Sequence, residues 1–357
     1  MNSPRSFRTT ELVKEFARQG HAVTLLTPFM KEEHSVFSRE HGVQIKDLGG
    51  PRLRRFSLSG NRVSVFAKRV VNRGLNLFFE YPDIEWMFRV KKALRNEKGY
   101  DLMITVAAPH SVHWGAALAR RKKNPVAGTW VADCGDPFMG TVLDTFSKLF
   151  YFKTLEKLFC RRADFITVPV ESAKEGYYPE FREKIRVIPQ GFDFNEIDID
   201  PRAYQKSEIP TFAYAGSLIP GGRDPSEFLS YLVSLEREFK FILYTKNRAL
   251  VEPFLKRAEG RVEVRDYIPR DELLKNLSGM DFLVNFENST ALQQPSKLID
   301  YYLTGRPVLS VGSRNLNTAV VNRFMEGDYN SGLKFDDVDQ YRIENVCSRF
   351  LELAGRE

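Results

Sequence analysis

Cysteine is scarce. The 357 residues hold only Cys134, Cys160 and Cys347, an odd number, far apart and without a C-x-x-C spacing. That excludes a disulfide scaffold and a zinc site of the usual spacing, and points to free thiols in a reducing compartment. No apolar run approaches the roughly 18 residues that span a bilayer, and Met1-Asn2-Ser3-Pro4-Arg5 has no apolar core behind it. The expected location is therefore cytoplasmic. No low-complexity tract and no repeat of about 20–50 residues is present. Histidine is rare too, five in all and none beyond His113.

What is there is ordinary for a folded protein, with 43% apolar and 28% charged residues. At roughly 150 residues per domain the length suggests two domains. The net charge of +7 is unevenly placed: Arg52, Arg54, Arg55, Arg62, Lys68, Arg69 and Arg73 fall between residues 51 and 79, with no acid among them. On a 100° wheel Arg62, Arg69 and Arg73 lie within roughly 40° of one another, beside a sector of Val63, Phe66, Val70 and Phe78. Such a helix suits an anionic membrane surface, and it equally suits a core-packed helix with a solvated basic face. Read as core-facing, its phenylalanines form no stacking platform, so nucleic acid is not expected as a partner.

Along the chain, FRTTELVKEFARQ (7–19) places Leu12 and Phe16 at helical spacing, with Gly20 as a stop. Strand-like runs follow at 21–28, 100–108, 126–133, 163–170 and 185–191, with helical stretches between them. A proline-marked polar segment leads to Pro210, and five more strand runs follow at 211–217, 240–245, 261–268, 281–286 and 306–311. Alternation of this kind means parallel sheets covered on both faces. The expected domains are 1–195 and 205–357, each Rossmann-like and doubly wound, with a last helix within 337–355. A doubly wound domain ordinarily opens with a strand, whereas this chain opens on a loop and a helix. The expectation is that a first strand, and closing helices, are missing.

PSKLIDYYLTGRPVLS (295–310) reads as a helix ending at Gly305 and followed by a strand. Ser296 and Lys297 at its start suit a diphosphate, and Asp300 one turn on suits ribose hydroxyls; Lys297 and Asp300 also fit a solvated helix pair. His110 and His113 stand at the end of the 100–108 strand, where open α/β sheets bind ligands. Asp133 and Asp136 flank the next strand end, placed to orient or deprotonate an acceptor hydroxyl.

GHAVTLLTP (20–28), RRADFITVPVES (161–172), KIRVIPQGFD (184–193), FAYAGSLIPGGRDP (212–225), VRDYIPRDELLKNLSGMDFLVNF (264–286) and PSKLIDYYLTGRPVL resemble, in that order, landmarks of glycosyltransferase family 4 in the GT-B superfamily. The segment 109–138 is similar to the P-h-S-v-H…D-x-R-D-P-W segment of a subgroup that builds bacterial surface polysaccharide or lipopolysaccharide, with Gly135 in place of its arginine. The resemblance implies two Rossmann-like domains facing across a cleft, an N-terminal acceptor-binding domain and a C-terminal one that binds a nucleotide-sugar. It implies a glycosyltransferase of hexosyltransferase type, acting with retention on a lipid-linked or saccharide acceptor. Asp300 stands at the second acid of the family's acid-x7-acid motif, and the first falls on Leu292. Arg223 with Lys297 is implied to neutralise the diphosphate, Gly216 and Ser217 to let backbone approach phosphate, and Tyr267 and Ile268 to hold the base. No D-x-D motif lies beside these groups, so no metal and no cofactor beyond the nucleotide-sugar donor are expected. Attachment of Arg62, Arg69 and Arg73 to the inner face of the cell membrane completes the expectation. Two rivals are a degenerate homologue that binds donor without turnover and a nucleotide-sugar epimerase of the same superfamily.

Overall fold

The computed structural model describes residues 4–28, 31–120, 125–140, 148–196, 199, 204–287, 297–335 and 337–355. The chain forms two compact units, one of Met1–Phe192 with Gln340–Glu357 and one of Asp193–Asp339.

The first unit runs α1 (Pro4–Arg18), β1 (Thr24–Thr27), α2 (Lys31–His41), β2 (Gln44–Asp47), α3 (Arg62–Phe79), α4 (Glu85–Leu94), β3 (Tyr100–Val106), α5 (Ser111–Ala119), β4 (Ala127–Asp133), α6 (Phe152–Arg162), β5 (Phe165–Val168) and β6 (Ile185–Val187). All pairings are parallel, in a four-stranded sheet β3-β4-β5-β6 and a separate pair β1-β2. Strand alternation on β4 sends Trp130 and Ala132 to one apolar cluster and Val131 to another, so both faces are covered. Among the described residues β1 pairs only with β2 and β3 only with β4, which leaves the unit's strands in two ladders. The strand β2, Gln-Ile-Lys-Asp, is not among the sequence expectations, because a four-residue edge strand with alternating polar residues carries no apolar run.

The second unit runs β7 (Thr211–Ala215), α7 (Ser226–Ser234), β8 (Lys240–Tyr244), α8 (Glu252–Ala258), β9 (Val262–Arg265), α9 (Arg270–Ser278), β10 (Phe282–Phe286), α10 (Lys297–Leu303), β11 (Val308–Val311) and α11 (Thr318–Glu326). Its five parallel strands are ordered β11-β10-β7-β8-β9. Phe212 and Tyr214 face one cluster while Ala213 and Ala215 face the other. The chain leaves β7 toward β8 on one side and returns to β10 on the other. The carboxyl end of β7 is therefore the topological switch point, where open sheets bind ligands.

The last helix, α12 (Ile343–Leu353), corrects the expectation that 205–357 forms one domain. Its stripe of Ile343, Val346, Cys347 and Phe350 packs with Leu12 and Phe16 of α1, and Ile343 N donates to Phe192 O at 2.9 Å. Two apolar stripes of helical period bury each other, so the chain ends in the unit where it begins.

Candidate functional site

In the first unit the carboxyl ends of β4 and β6 meet the first turns of α1. Asp133, the last residue of β4, is buried. Its Oδ2 accepts from Arg8 Nε at 2.6 Å, and its Oδ1 from Arg8 Nη2 at 2.8 Å and Thr167 Oγ1 at 2.7 Å. Arg8 also donates to the carbonyls of Ile188 and Pro189. A carboxylate so engaged cannot deprotonate an acceptor, which corrects the expectation for Asp133. Its work is to tie α1 to the sheet. Arg8 was not among the expected residues, although its i, i+4, i+8 spacing with Leu12 and Phe16 places it on the buried face of α1.

His113 is likewise buried, with Nδ1 2.8 Å from Thr105 Oγ1 and Nε2 3.3 Å from Cys134 Sγ. Burial, helped by the Arg5 charge, holds its pKa well below the usual imidazole value. With both ring nitrogens engaged it reaches no substrate, so the expectation of a catalytic His113 is corrected to a structural role. His110 differs. It is half-buried just before α5, and its Nε2 lies 3.0 Å from the Asp136 carbonyl, which can only accept. The proton therefore sits on Nε2. Burial lowers its pKa to about 4, partly offset by that carbonyl. At neutral pH Nδ1 is an acceptor for a hydroxyl. Asp136 is exposed on the loop after β4, its carbonyl fixing the His110 ring.

In the second unit Gly216 follows β7 with φ +148°, a backbone conformation open to glycine, and its N–H continues the ladder to Tyr244 O at 3.0 Å. Ser217 O accepts from Tyr214 Oη at 2.9 Å, and Ser217 Oγ lies 3.2 Å from Tyr267 Oη. Tyr267, just beyond β9, is 44% exposed, with Lys246 Nζ 5.2 Å from its ring centroid. Ile268 beside it packs into the cluster that holds Tyr301. Arg223 lies against Tyr214, and its Nε is buried without a hydrogen-bond partner among the described residues. Gly216, Ser217, Arg223 and Tyr267 thus gather at the carboxyl edge of β7, β8 and β9, joined by Lys246, which no sequence motif singled out.

Asp300 on α10 is half-buried, its Oδ1 accepting from Arg270 Nη2 at 2.6 Å and Nε at 2.9 Å. Burial raises its pKa and the Arg270 charge opposes the rise. The Tyr301 hydroxyl accepts from Ala215 N at 2.8 Å, fixing α10 to the end of β7. Of the remaining expectations, Ser296 and Leu292 lie outside the described residues, as does the Lys297 side chain.

Arg62, Arg69 and Arg73 lie on α3, a helix without a single buried residue. Val63 is 76% exposed and Phe66 68%, with Val70 and Phe78 exposed beside them. The core-packed alternative and the core-facing placement of these phenylalanines are corrected: the apolar sector of α3 faces outward. Asn61 caps the helix by accepting from Ser64 N at 2.9 Å, and Asn72 clasps the Phe56 backbone through both its amide atoms. Among the described residues, no helix is long and apolar enough to cross a membrane.

Residues 6–191 match the family model described as a glycosyl transferase 4-like domain. No curated protein sequence matches the chain significantly. Among solved structures it is similar to a glycosyltransferase from Rickettsia africae ESF-5 (TM-score 0.62, 10% identity, covering 99% of this chain and 95% of that one). It is also similar to the lipopolysaccharide outer core galactosyltransferase WaaB (TM-score 0.58, 12% identity, 97% and 94%). A third is HepE of Anabaena, solved in complex with UDP-glucose (TM-score 0.53, 12% identity, 99% and 93%). At such identities these likenesses speak for the fold alone, an α/β GT-B fold of two Rossmann-like units. With a family match over more than half of its length, the chain belongs to the glycosyl transferase 4-like family and is a glycosyltransferase.

Proposed function

We propose that this glycosyltransferase moves a hexosyl group from a nucleotide-diphosphate sugar, bound by the second unit, to a lipid-linked or saccharide acceptor met by the first, in the synthesis of bacterial surface polysaccharide. The observation that carries this reading is the buried, unspent Nε of Arg223 at the switch point of the second sheet, among Gly216, Ser217 and Tyr267. A donor in that position faces a diphosphate, whose charge an arginine fork neutralises as the sugar leaves. The side chain of Lys297 adds a second cation to the leaving group. Tyr267 and Ile268 supply an apolar wall for the base, and Asp300, oriented by Arg270, accepts from the ribose.

His110 completes the chemistry on the acceptor side, since its bare Nδ1 can hold a sugar or acceptor hydroxyl by hydrogen bond. Transfer with retention follows if the acceptor attacks from the face of the departing diphosphate, which then takes the proton. No side-chain nucleophile and no metal is part of this scheme. The basic, apolar face of α3 supports a lipid-linked acceptor and attachment to the cytoplasmic face of a membrane. HepE of Anabaena binds UDP-glucose, so uridine is the first base to try. The test is a panel of nucleotide sugars scored by thermal shift and by hydrolysis of labelled sugar. One donor should stabilise and turn over. A panel without any stabilising donor refutes the reading.

A further inference from the structure

Arg5 stands on the first turn of α1, facing the loop after β4. Arg8 already occupies both oxygens of Asp133, and Thr167 adds a third hydrogen bond, so that carboxylate is spent. Arg5 Nη1 comes only to 3.7 Å from Oδ2, an electrostatic contact beyond hydrogen-bond range. Among the described residues its guanidinium makes no hydrogen bond, and its side chain is 24% exposed. Arg5, Arg8 and Asp133 together leave one positive charge in excess, carried by a planar guanidinium that remains partly exposed.

The seat of that fork is built by a missing side chain. A Cβ on Gly135 would stand 1.6 Å from Arg5 Nη2 and 2.4 Å from its Cζ, so only glycine at 135 admits the guanidinium. In the loop pattern that this segment resembles, position 135 is an arginine. Here the loop gives up its charge and α1 delivers one into the vacated room. Asp136 is the next residue of this loop, and His110, from the turn before α5, is held against its carbonyl at the edge of the sheet where ligands bind.

We infer that Arg5, seated over Gly135, is an oxyanion-binding residue of the first unit that takes a phosphate group of the acceptor. The acceptor role rests on the function proposed above; the oxyanion site itself does not. A planar guanidinium with free donors recognises two phosphate oxygens at once, and the neutral His110 beside it adds no competing positive charge, while the Asp136 carboxylate on the same loop is exposed to solvent, which screens its opposition.

The test uses the intact chain and phenylglyoxal, which modifies accessible arginines, with the Arg5 peptide quantified by mass spectrometry. Inorganic phosphate is one probe and citronellyl phosphate, a short soluble prenyl phosphate, the other. Either should slow modification of Arg5 at least fivefold. Protection by citronellyl phosphate at tenfold lower concentration assigns a lipid-borne phosphate, and equal protection assigns one on a soluble acceptor. Gly135→Ala keeps the arginine but fills its seat, and should abolish protection. An unchanged Arg5 rate with both probes, or protection that survives in Gly135→Ala, overturns the inference. The wild-type measurement stands alone should the variant be unstable. Turnover of a nucleotide sugar without Arg5 protection refutes this site only, whereas protection without turnover of any donor refutes the glycosyl-transfer reading only.

Discussion

Arg8 and Asp133, 125 residues apart in sequence, form a bidentate pair at 2.6 and 2.8 Å, in which both side chains are almost wholly removed from solvent. Strand-end acids next to a ligand-binding edge invite a catalytic reading. Here the geometry favours architecture, because the buried carboxylate already accepts three hydrogen bonds from Arg8 and Thr167. The same edge shows how function and framework divide among neighbours: half-buried His110 commits Nε2 to the Asp136 carbonyl, while His113, three residues on, is buried with both ring nitrogens engaged.

Removing one member of a buried pair strands the other's charge, which costs about 3–5 kcal/mol. Arg8→Ala is therefore expected to lose about that much stability. The three tryptophans, Trp86, Trp114 and Trp130, all lie in the first unit, so urea unfolding followed by their fluorescence reports on it alone. A variant within about 0.5 kcal/mol of wild type, the scatter of ordinary surface changes, would show that the pair is not structural.

Much of this fold can be read from the chain because parallel strands buried on both faces are written as short apolar runs. Phe165–Val168 and Phe282–Phe286 are such runs, and each is a strand. The strand Gln44–Asp47 is not legible, since half of its residues face water. The stripe of α12 announces a buried helix without saying against what. Its partner, α1, lies at the other end of the sequence. The donor-side residues are legible through local motifs, whereas Arg8, Arg5 and Arg270 act across long separations that no spacing records. Lys246 carries no pattern at all.

Glu156 sits fully buried on α6, where its Oε1 accepts from Phe138 N at 3.1 Å and Met139 N at 3.3 Å, holding the loop that carries Asp136. Burial pushes its pKa up to about 7, against the pull of those amides. A folded pKa above the unfolded one stabilises fully at pH below about 4.5 and is lost as pH rises through 7. The stability of wild type relative to Glu156→Gln, which keeps the acceptor oxygen, should therefore fall by up to about 3 kcal/mol between pH 4.5 and pH 8. Urea unfolding at both pH values measures it. A difference that does not change with pH would place the Glu156 titration elsewhere.

Arg223→Ala should weaken nucleoside diphosphate binding by about 1.5–3 kcal/mol, the worth of a charge-assisted hydrogen bond, or roughly tenfold to over a hundredfold in affinity. Arg270→Ala acts one step removed, by freeing Asp300 to rotate, and should cost less. Calorimetric titration with UDP and with the free nucleoside separates the two sites: the Arg223 effect belongs to the phosphates and disappears with the nucleoside, while the Arg270 effect persists. An Arg223 variant that binds UDP as wild type does places the diphosphate elsewhere.

The last expectation concerns α3. A soluble helix ordinarily buries its apolar stripe, and an exposed patch of several aromatic and aliphatic side chains marks a surface that something covers. Here Val63, Phe66, Val70 and Phe78 stand exposed beside Arg62 and Arg69, and Phe56 and Leu58 on the preceding loop extend the patch. Apolar side chains that enter the headgroup region, combined with guanidinium groups that stay at the phosphate level, suit an anionic bilayer. Each basic residue near such a surface contributes about 1 kcal/mol. Reversing Arg62, Arg69 and Arg73 to glutamate should then lower cosedimentation with phosphatidylglycerol vesicles by at least about a hundredfold in partition coefficient. Phe66→Ser with Val70→Ser should weaken binding at every salt concentration, because apolar insertion is not screened, whereas the arginine effect should fade above about 0.5 M salt. Equal binding to neutral and anionic vesicles, or none to either, would leave α3 to a protein partner instead.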